Sequence, residues 1–93
     1  MSDSDLDAPD ARFSAFVYFQ AQNGGLFLGR LPNPATGETM VNLKAAQSVI
    51  DALEMLEDKS RGNLNQAEKK LLKLALDNLR QLFEEVSTNH PEE

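Results

Sequence analysis

The chain has 93 residues, a net charge of −6 and no cysteine, which is enough sequence for one small domain. The absence of cysteine excludes disulfides, thiolate nucleophiles and cysteine-based zinc or redox sites. The single histidine, His90, lies in the acidic C-terminal stretch beside Pro91, so we expect no histidine-centred catalytic or metal site. We therefore predict a protein that is not an enzyme, with no catalytic residue, no metal and no cofactor.

The acidic residues concentrate at the two ends of the chain. Residues 1–10 hold four aspartates and residues 84–93 hold four glutamates, in both cases without a cation, whereas residues 11–83 hold all nine Lys and Arg. The phosphate backbone of a nucleic acid repels such an acidic chain, so nucleic acid is not expected as a partner. The acidic start does not resemble a secretory signal, and no stretch predicts a membrane span. We expect a cytoplasmic protein.

Three regions are predicted along the chain. Residues 1–11, rich in Ser and Asp, predict a disordered acidic tail. Residues 12–87 carry the periodic apolar positions and predict a single helical domain. Residues 88–93 predict a flexible acidic C-terminus.

An aromatic helix opens the predicted domain near Arg12. Five of the six aromatic residues fall in this part of the chain, at Phe13, Phe16, Tyr18, Phe19 and Phe27. A helix that is apolar nearly all round is normally buried on more than one side, so this segment is the expected centre of the core. Asn23-Gly24-Gly25 either ends or bends the helix, because each glycine costs about 1 kcal/mol relative to alanine in a helix interior.

Residues 26–42 combine short apolar pieces with turn residues. Pro34 suits the first central position of a type I turn, and Gly37 suits the left-handed conformation that follows. Two interpretations remain open, a β-hairpin and an irregular loop.

The second predicted helix follows Asn42, a favourable N-cap, and ends before Gly62, a favourable C-cap. Its apolar residues recur every three or four positions over 43–61. Several carboxylates on this helix predict a solvated face with ion pairs and not a metal site, and they are Asp51, Glu54, Glu57 and Asp58.

The third predicted helix spans 65–87. Asn65 and Glu68 have the spacing of a capping box, in which each side chain accepts a hydrogen bond from the other residue's backbone N–H. The linker to the preceding helix is short, so the two helices are expected to form an antiparallel αα-hairpin.

A basic patch is predicted where these two helices meet. Its members are Lys59, Arg61, Lys69, Lys70 and Lys73. One interpretation is a binding site for an acidic or nucleic-acid partner, and the other is ordinary solvated surface. No aromatic residue is interleaved with the patch for base stacking, which favours the second.

Three stretches of the chain stand out as motifs, and they are Phe13-Ser14-Ala15-Phe16-Val17, Pro32-Asn33-Pro34-Ala35-Thr36-Gly37-Glu38 and Lys59-Ser60-Arg61-Gly62-Asn63-Leu64-Asn65-Gln66-Ala67-Glu68. Together they resemble a small bacterial family catalogued as domain of unknown function 1844. The third stretch is similar to the family's Lys-Thr-x-Gly-Asn-Leu-Thr-x-x-Glu, from which Ser60 and Asn65 depart. The resemblance implies the fold and a cellular setting, but no activity and no site residues.

The predicted fold is mainly α, with an aromatic first helix, a short hairpin or ordered loop, and an antiparallel αα-hairpin. The αα-hairpin covers only about half of the first helix, so the rest would expose an apolar patch that soluble monomers usually avoid. We therefore predict a self-associating structural or interaction module, most simply a homodimer. The candidate self-association residues are Phe13, Phe16, Tyr18 and Phe19. The alternative is a regulatory module that binds an acidic or nucleic-acid partner through the basic patch.

Overall fold

The fold consists of three helices, seen in a computed structural model that describes residues 8–89. Helix α1 spans Ala11–Phe27, helix α2 spans Leu43–Lys59, and helix α3 spans Gln66–Asn89. Within residues 8–89 there is no strand, only one isolated antiparallel bridge between Leu28 and Val41. The predicted mainly-α class is therefore confirmed.

The N-cap residue of helix α1, Asp10, also forms an ion pair. The Asp10 carboxylate accepts a hydrogen bond from the Arg12 backbone N–H at 2.8 Å and pairs with the Arg12 guanidinium at 2.8 Å. The side-chain hydrogen bond from Arg12, together with its backbone N–H, lowers the pKa of Asp10 from 3.8 to about 2. The helix starts at Ala11, one residue inside the predicted tail. Residues 1–7 of that prediction lie outside the described residues.

Helix α1 continues through Asn23-Gly24-Gly25 and ends at Phe27. Gly24 is buried where α1 crosses α3, and a Cβ atom there would lie 2.6 Å from Leu79 Cδ2. The glycine therefore allows the two helices to approach closely, and it does not end the first helix as one of the two sequence interpretations had it.

The connection between α1 and α2 is an ordered loop with a single bridge. The Asn42 backbone N–H donates to the Phe27 carbonyl at 2.7 Å, beside the Leu28–Val41 bridge. At the far end of the loop, the Gly37 backbone N–H donates to the Asn33 carbonyl at 2.7 Å, and Gly37 adopts a φ of +74°. One bridge makes no strand here, so the loop is the better of the two sequence interpretations.

Helix α2 begins and ends close to the predicted positions. The Asn42 side chain accepts a hydrogen bond from the Ala45 backbone N–H at 3.0 Å, as an N-cap does. The helix ends at Lys59, and Gly62 takes a φ of +84° in the turn that follows.

Helix α3 extends to Asn89, so the predicted C-terminal region of 88–93 begins inside a helix. Residues 90–93 lie outside the described part of the chain.

The Glu68 carboxylate joins the starts of α1 and α3. Its Oε1 atom accepts from the Asn65 backbone N–H at 3.0 Å, and Asn65 Oδ1 accepts from the Glu68 backbone N–H at 2.9 Å. This reciprocal pair is the predicted capping box. The Glu68 Oε2 atom accepts a further bond, at 2.8 Å, from the backbone N–H of Asp10. The buried carboxylate is thereby satisfied, and it holds the two helix starts together.

Most side chains of the core come from α2 and α3, and α1 packs against both of these helices. Nine of the eleven buried hydrophobic residues in the described part of the chain belong to these two helices, so the expectation that α1 is the centre of the core is wrong. From α1, Val17 is buried, and the other buried positions are Gly24 and Gly25, which offer no side chain. The nine residues of α2 and α3 are Leu43, Ala46, Val49, Ile50, Leu53, Leu72, Leu76, Leu79 and Val86.

The close approach at Gly24 predicts different effects for two neighbouring substitutions. Gly24→Ala forces the buried Leu79 to move, and such overpacking typically costs about 1–3 kcal/mol. Gly25→Ala places its Cβ 3.4 Å from the exposed Leu31 side chain, which is ordinary contact. Because both variants gain the same helix propensity, Gly24→Ala should be less stable than Gly25→Ala by about 1–3 kcal/mol in urea unfolding. Equal stabilities would contradict the close approach.

Removing the Glu68 carboxylate should destabilise the domain. Glu68→Ala leaves the Asp10 and Asn65 backbone N–H groups without their acceptor, and hydrogen bonds to charged groups are worth about 1.5–3 kcal/mol each. We expect a loss of at least that size in chemical denaturation. The control is Glu57→Ala, an exposed glutamate on α2, which should stay within about 0.5 kcal/mol of the wild type.

The lowered pKa of Asp10 predicts a pH-dependent contribution to stability. The carboxylate stabilises the folded state above its unfolded pKa of 3.8, and this contribution is lost as the pH falls through about 2. Asp10→Asn keeps an N-cap but removes the charge. The difference in unfolding free energy between wild type and Asp10→Asn should therefore be constant above about pH 5 and should shrink between about pH 4 and pH 2. A difference that does not change with pH would rule out the ion pair as its source.

Candidate functional site

One side of α1 is uncharged, largely apolar and open to solvent. No charged residue occurs between Arg12 and Arg30. Successive helical residues turn by about 100°, so the positions opposite the buried Val17 form a stripe along the outer side of the helix. We call this the outward stripe, and its residues are Ala15, Phe19, Gln22 and Leu26.

Two further aromatic side chains flank the outward stripe, Phe16 on one side and Tyr18 on the other. The exposed fractions are 62% for Phe19, 59% for Tyr18 and 45% for Phe16. Since an aromatic side chain offers roughly 200 Å², these three together leave about 300 Å² in water. That area is comparable with the largest apolar patch of a typical monomer, and such patches often serve binding.

The structure separates the four predicted self-association residues into two groups. Phe13 is partly buried and packs against the core of its own chain, so it belongs to the domain interior and is not part of the exposed surface. Phe16, Tyr18 and Phe19 are exposed together on α1. Neither Phe16 nor Phe19 is a core residue.

Sequence reasoning missed the other residues of the outward stripe. Ala15 and Gln22 are exposed, and Leu26 is half-buried. The signal was present in the spacing of 4, 3 and 4 residues from Ala15 through Phe19 and Gln22 to Leu26. The aromatic residues concealed it, because they gave α1 apolar positions at nearly every angle.

The predicted basic patch is spread around the start of α3. Arg61 and Lys69 lie with Lys73 around a hollow of about 330 Å³ beside the α2–α3 turn, whereas Lys70 faces a different groove. Lys59 lines neither.

Two of the five cations in the basic patch already have carboxylate partners. Arg61 pairs with Asp58 at 2.9 Å, and Lys73 pairs with Asp77 at 3.4 Å. The patch therefore offers less free positive charge than its sequence suggests.

Three of the four carboxylates predicted to form a solvated face, Asp51, Glu54 and Asp58, are engaged in surface bonds. Glu54 pairs with Arg80 at 2.6 Å, and this hydrogen bond raises the pKa of the Arg80 guanidinium. Asp51 accepts a hydrogen bond from the Gln47 amide at 2.9 Å. Exposed pairs of this kind contribute at most about 1 kcal/mol each.

A groove of about 640 Å³ separates the first half of α1 from α3. Tyr18, Leu71 and Leu74 line it, with Lys70 at its edge. Ser14 Oγ is buried in its wall and, among the described residues, finds no hydrogen-bond partner. Because Tyr18 borders both the groove and the outward stripe, the groove continues the apolar surface of α1 on the side of α3.

Comparison with known proteins identifies the family. A sequence model described as "Domain of unknown function (DUF1844)" matches residues 10–85, so the chain belongs to that family. Neither the curated proteins nor the solved structures contain a match. Among the described residues, no helix has both the length and the apolar character needed to cross a membrane.

Proposed function

We propose that this member of the DUF1844 family is a non-enzymatic cytoplasmic module that self-associates, with the outward stripe of α1 and its flanking aromatics at the interface. The observation that carries the proposal is the exposure of Phe16, Tyr18 and Phe19 on a helix without a charged residue between Arg12 and Arg30. A solvent-facing helix surface normally carries charged and polar residues. Here the outer side carries three aromatic rings.

The energetics favour a weak to moderate association. If each of two copies buries about 300 Å² of aromatic surface, the dimer as a whole gains at most about 15 kcal/mol, at about 25 cal/mol per Å². The loss of translational and rotational freedom offsets roughly 4–15 kcal/mol of that gain. The remainder fits a dimer that forms at micromolar or higher concentration. The aromatic surface alone, about 600 Å² over both copies, is smaller than the roughly 1,200 Å² of a standard interface, so the other residues of the outward stripe must add contact area.

A second copy is the simplest partner, because the surface that needs covering is the same on both chains. A two-fold arrangement covers both stripes at once and closes the assembly at two copies. An uncharged stripe also offers a second copy no like-charge repulsion at the contact, although each chain carries a net charge of −6.

The alternative function uses the basic patch on an acidic or nucleic-acid partner. Lys69 and Lys70 form no ion pair with other described residues, and they lie on different sides of α3. Salt distinguishes the two functions, because phosphate contacts weaken steeply with added salt and hydrophobic association does not.

Substitution in the outward stripe should abolish self-association. Phe19→Glu introduces a charge at a residue that is 62% exposed, so the fold should persist while the dimer is lost. The matched control is Met55→Glu on α2, which adds the same charge at a residue that is 51% exposed. Light scattering from micromolar to millimolar concentration should show a dimer for wild type and Met55→Glu, and a monomer for Phe19→Glu. Circular dichroism should show equal helix content in all three.

A wild-type protein that remains at 10.3 kDa throughout this range, while folded, would refute the proposal. Loss of the dimer in Met55→Glu but not in Phe19→Glu would move the interface to α2. A dimer that dissociates as salt is raised would favour the charged surfaces instead.

A further inference from the structure

The outward stripe has a spacing that reads the same in both directions. Its residues Ala15, Phe19, Gln22 and Leu26 follow one another at intervals of 4, 3 and 4. Intervals of three and four are those by which two helices pack along a shared line of contact. Because the order of the intervals is symmetric, a second copy that runs in the opposite direction meets every stripe position with another stripe position.

From this symmetry we propose that two copies pair through antiparallel α1 helices, with Ala15 of each opposite Leu26 of the second copy. The same register places Phe19 opposite Gln22. The inference rests on the proposed self-association and adds the orientation and register of the two helices.

The sizes of the side chains favour the antiparallel register. In the outer contacts the smallest residue of the stripe, Ala15, meets the branched Leu26, and one large with one small side chain fills the space between helices evenly. In the central contacts the Phe19 ring packs on the aliphatic part of Gln22. Since Gln22 is exposed, its amide keeps its access to water at the edge of the contact.

A parallel pair would pack less well. Each residue would then meet its own counterpart, so Phe19 would oppose Phe19 and Ala15 would oppose Ala15. The phenylalanine contact would force the helices apart, and the neighbouring alanine contact would be left with a gap. Overfilled contacts and voids are both unfavourable in a packed interface.

Electrostatics favour the same orientation. Antiparallel helices set their macrodipoles in opposition, whereas parallel helices align them. Helix α1 has no basic residue in its last turn to compensate its carbonyl end. A parallel pair would also bring the two copies of Arg12 together, which is a repulsive contact, whereas the antiparallel pair keeps them at opposite ends.

Engineered cysteines test the orientation directly, because the natural chain has none. Ala15 and Leu26 are separated by about 16 Å along the helix, and a disulfide requires Cα atoms within about 7 Å. The variant Ala15→Cys/Leu26→Cys therefore cannot form a disulfide within one chain. In the antiparallel pair, the cysteine at position 15 of each copy faces the cysteine at position 26 of the other copy across the interface.

We expect mild oxidation to convert Ala15→Cys/Leu26→Cys into a covalent dimer. The single variants Ala15→Cys and Leu26→Cys should remain at least about tenfold less cross-linked, at the background level of Met55→Cys on α2, because each lone cysteine lies far from its copy in this register. Efficient cross-linking of either single variant would show a parallel pair, overturning the orientation while leaving self-association intact.

Light scattering of the same samples under reducing conditions separates the remaining outcomes. A dimer in which the double variant does not cross-link would place the interface elsewhere and overturn the inference. A monomer at every concentration would mean that self-association itself fails, and the orientation with it.

Discussion

Helices α1 and α3 approach each other closely at two points, and these contacts set the direction of α1 along α3. At one point the buried Leu79 side chain occupies the space that a Cβ atom of Gly24 would need. At the other the Glu68 carboxylate accepts the backbone N–H of Asp10. The two contacts align α1 parallel to α3.

This mode of packing leaves three aromatic side chains of α1 exposed. A helix that approaches through glycines buries little side-chain area, and Val17 is the large residue that α1 buries fully. The hairpin of α2 and α3 supplies most of the core, and Phe13 and Phe27 are the aromatic residues of α1 that pack against it. Phe16, Tyr18 and Phe19 consequently face solvent, and their exposure motivates the proposed self-association.

Charge is distributed so as to leave that surface neutral. Ion pairs on the other surfaces lie at helix ends and on the outer sides of α2 and α3, as in Arg61–Asp58 and Arg80–Glu54. Among the described residues, α1 has such a pair only at its start, between Asp10 and Arg12. Exposed pairs add little stability, but they keep the other surfaces hydrated. Of the seven exposed large hydrophobic residues in the described part of the chain, three lie together on α1.

Features that depend on neighbouring residues could be read from the chain alone. Asn42 caps α2, and Asn65 with Glu68 forms the capping box of α3, because caps are made by contacts within a few positions. The reason for a glycine at position 24 could not be read in this way, since it lies in the close contact with Leu79, a residue of another helix.

The outward stripe likewise depends on contacts between helices. Its spacing is present in the chain, but a helix with apolar residues at nearly every angle carries no periodic signal that distinguishes its buried side. The packing of α1 against α2 and α3 turns Phe13 inward and Phe19 outward. Local hydrogen bonding therefore fixed where the helices begin and turn, whereas contacts between distant helices decided which side of α1 faces solvent.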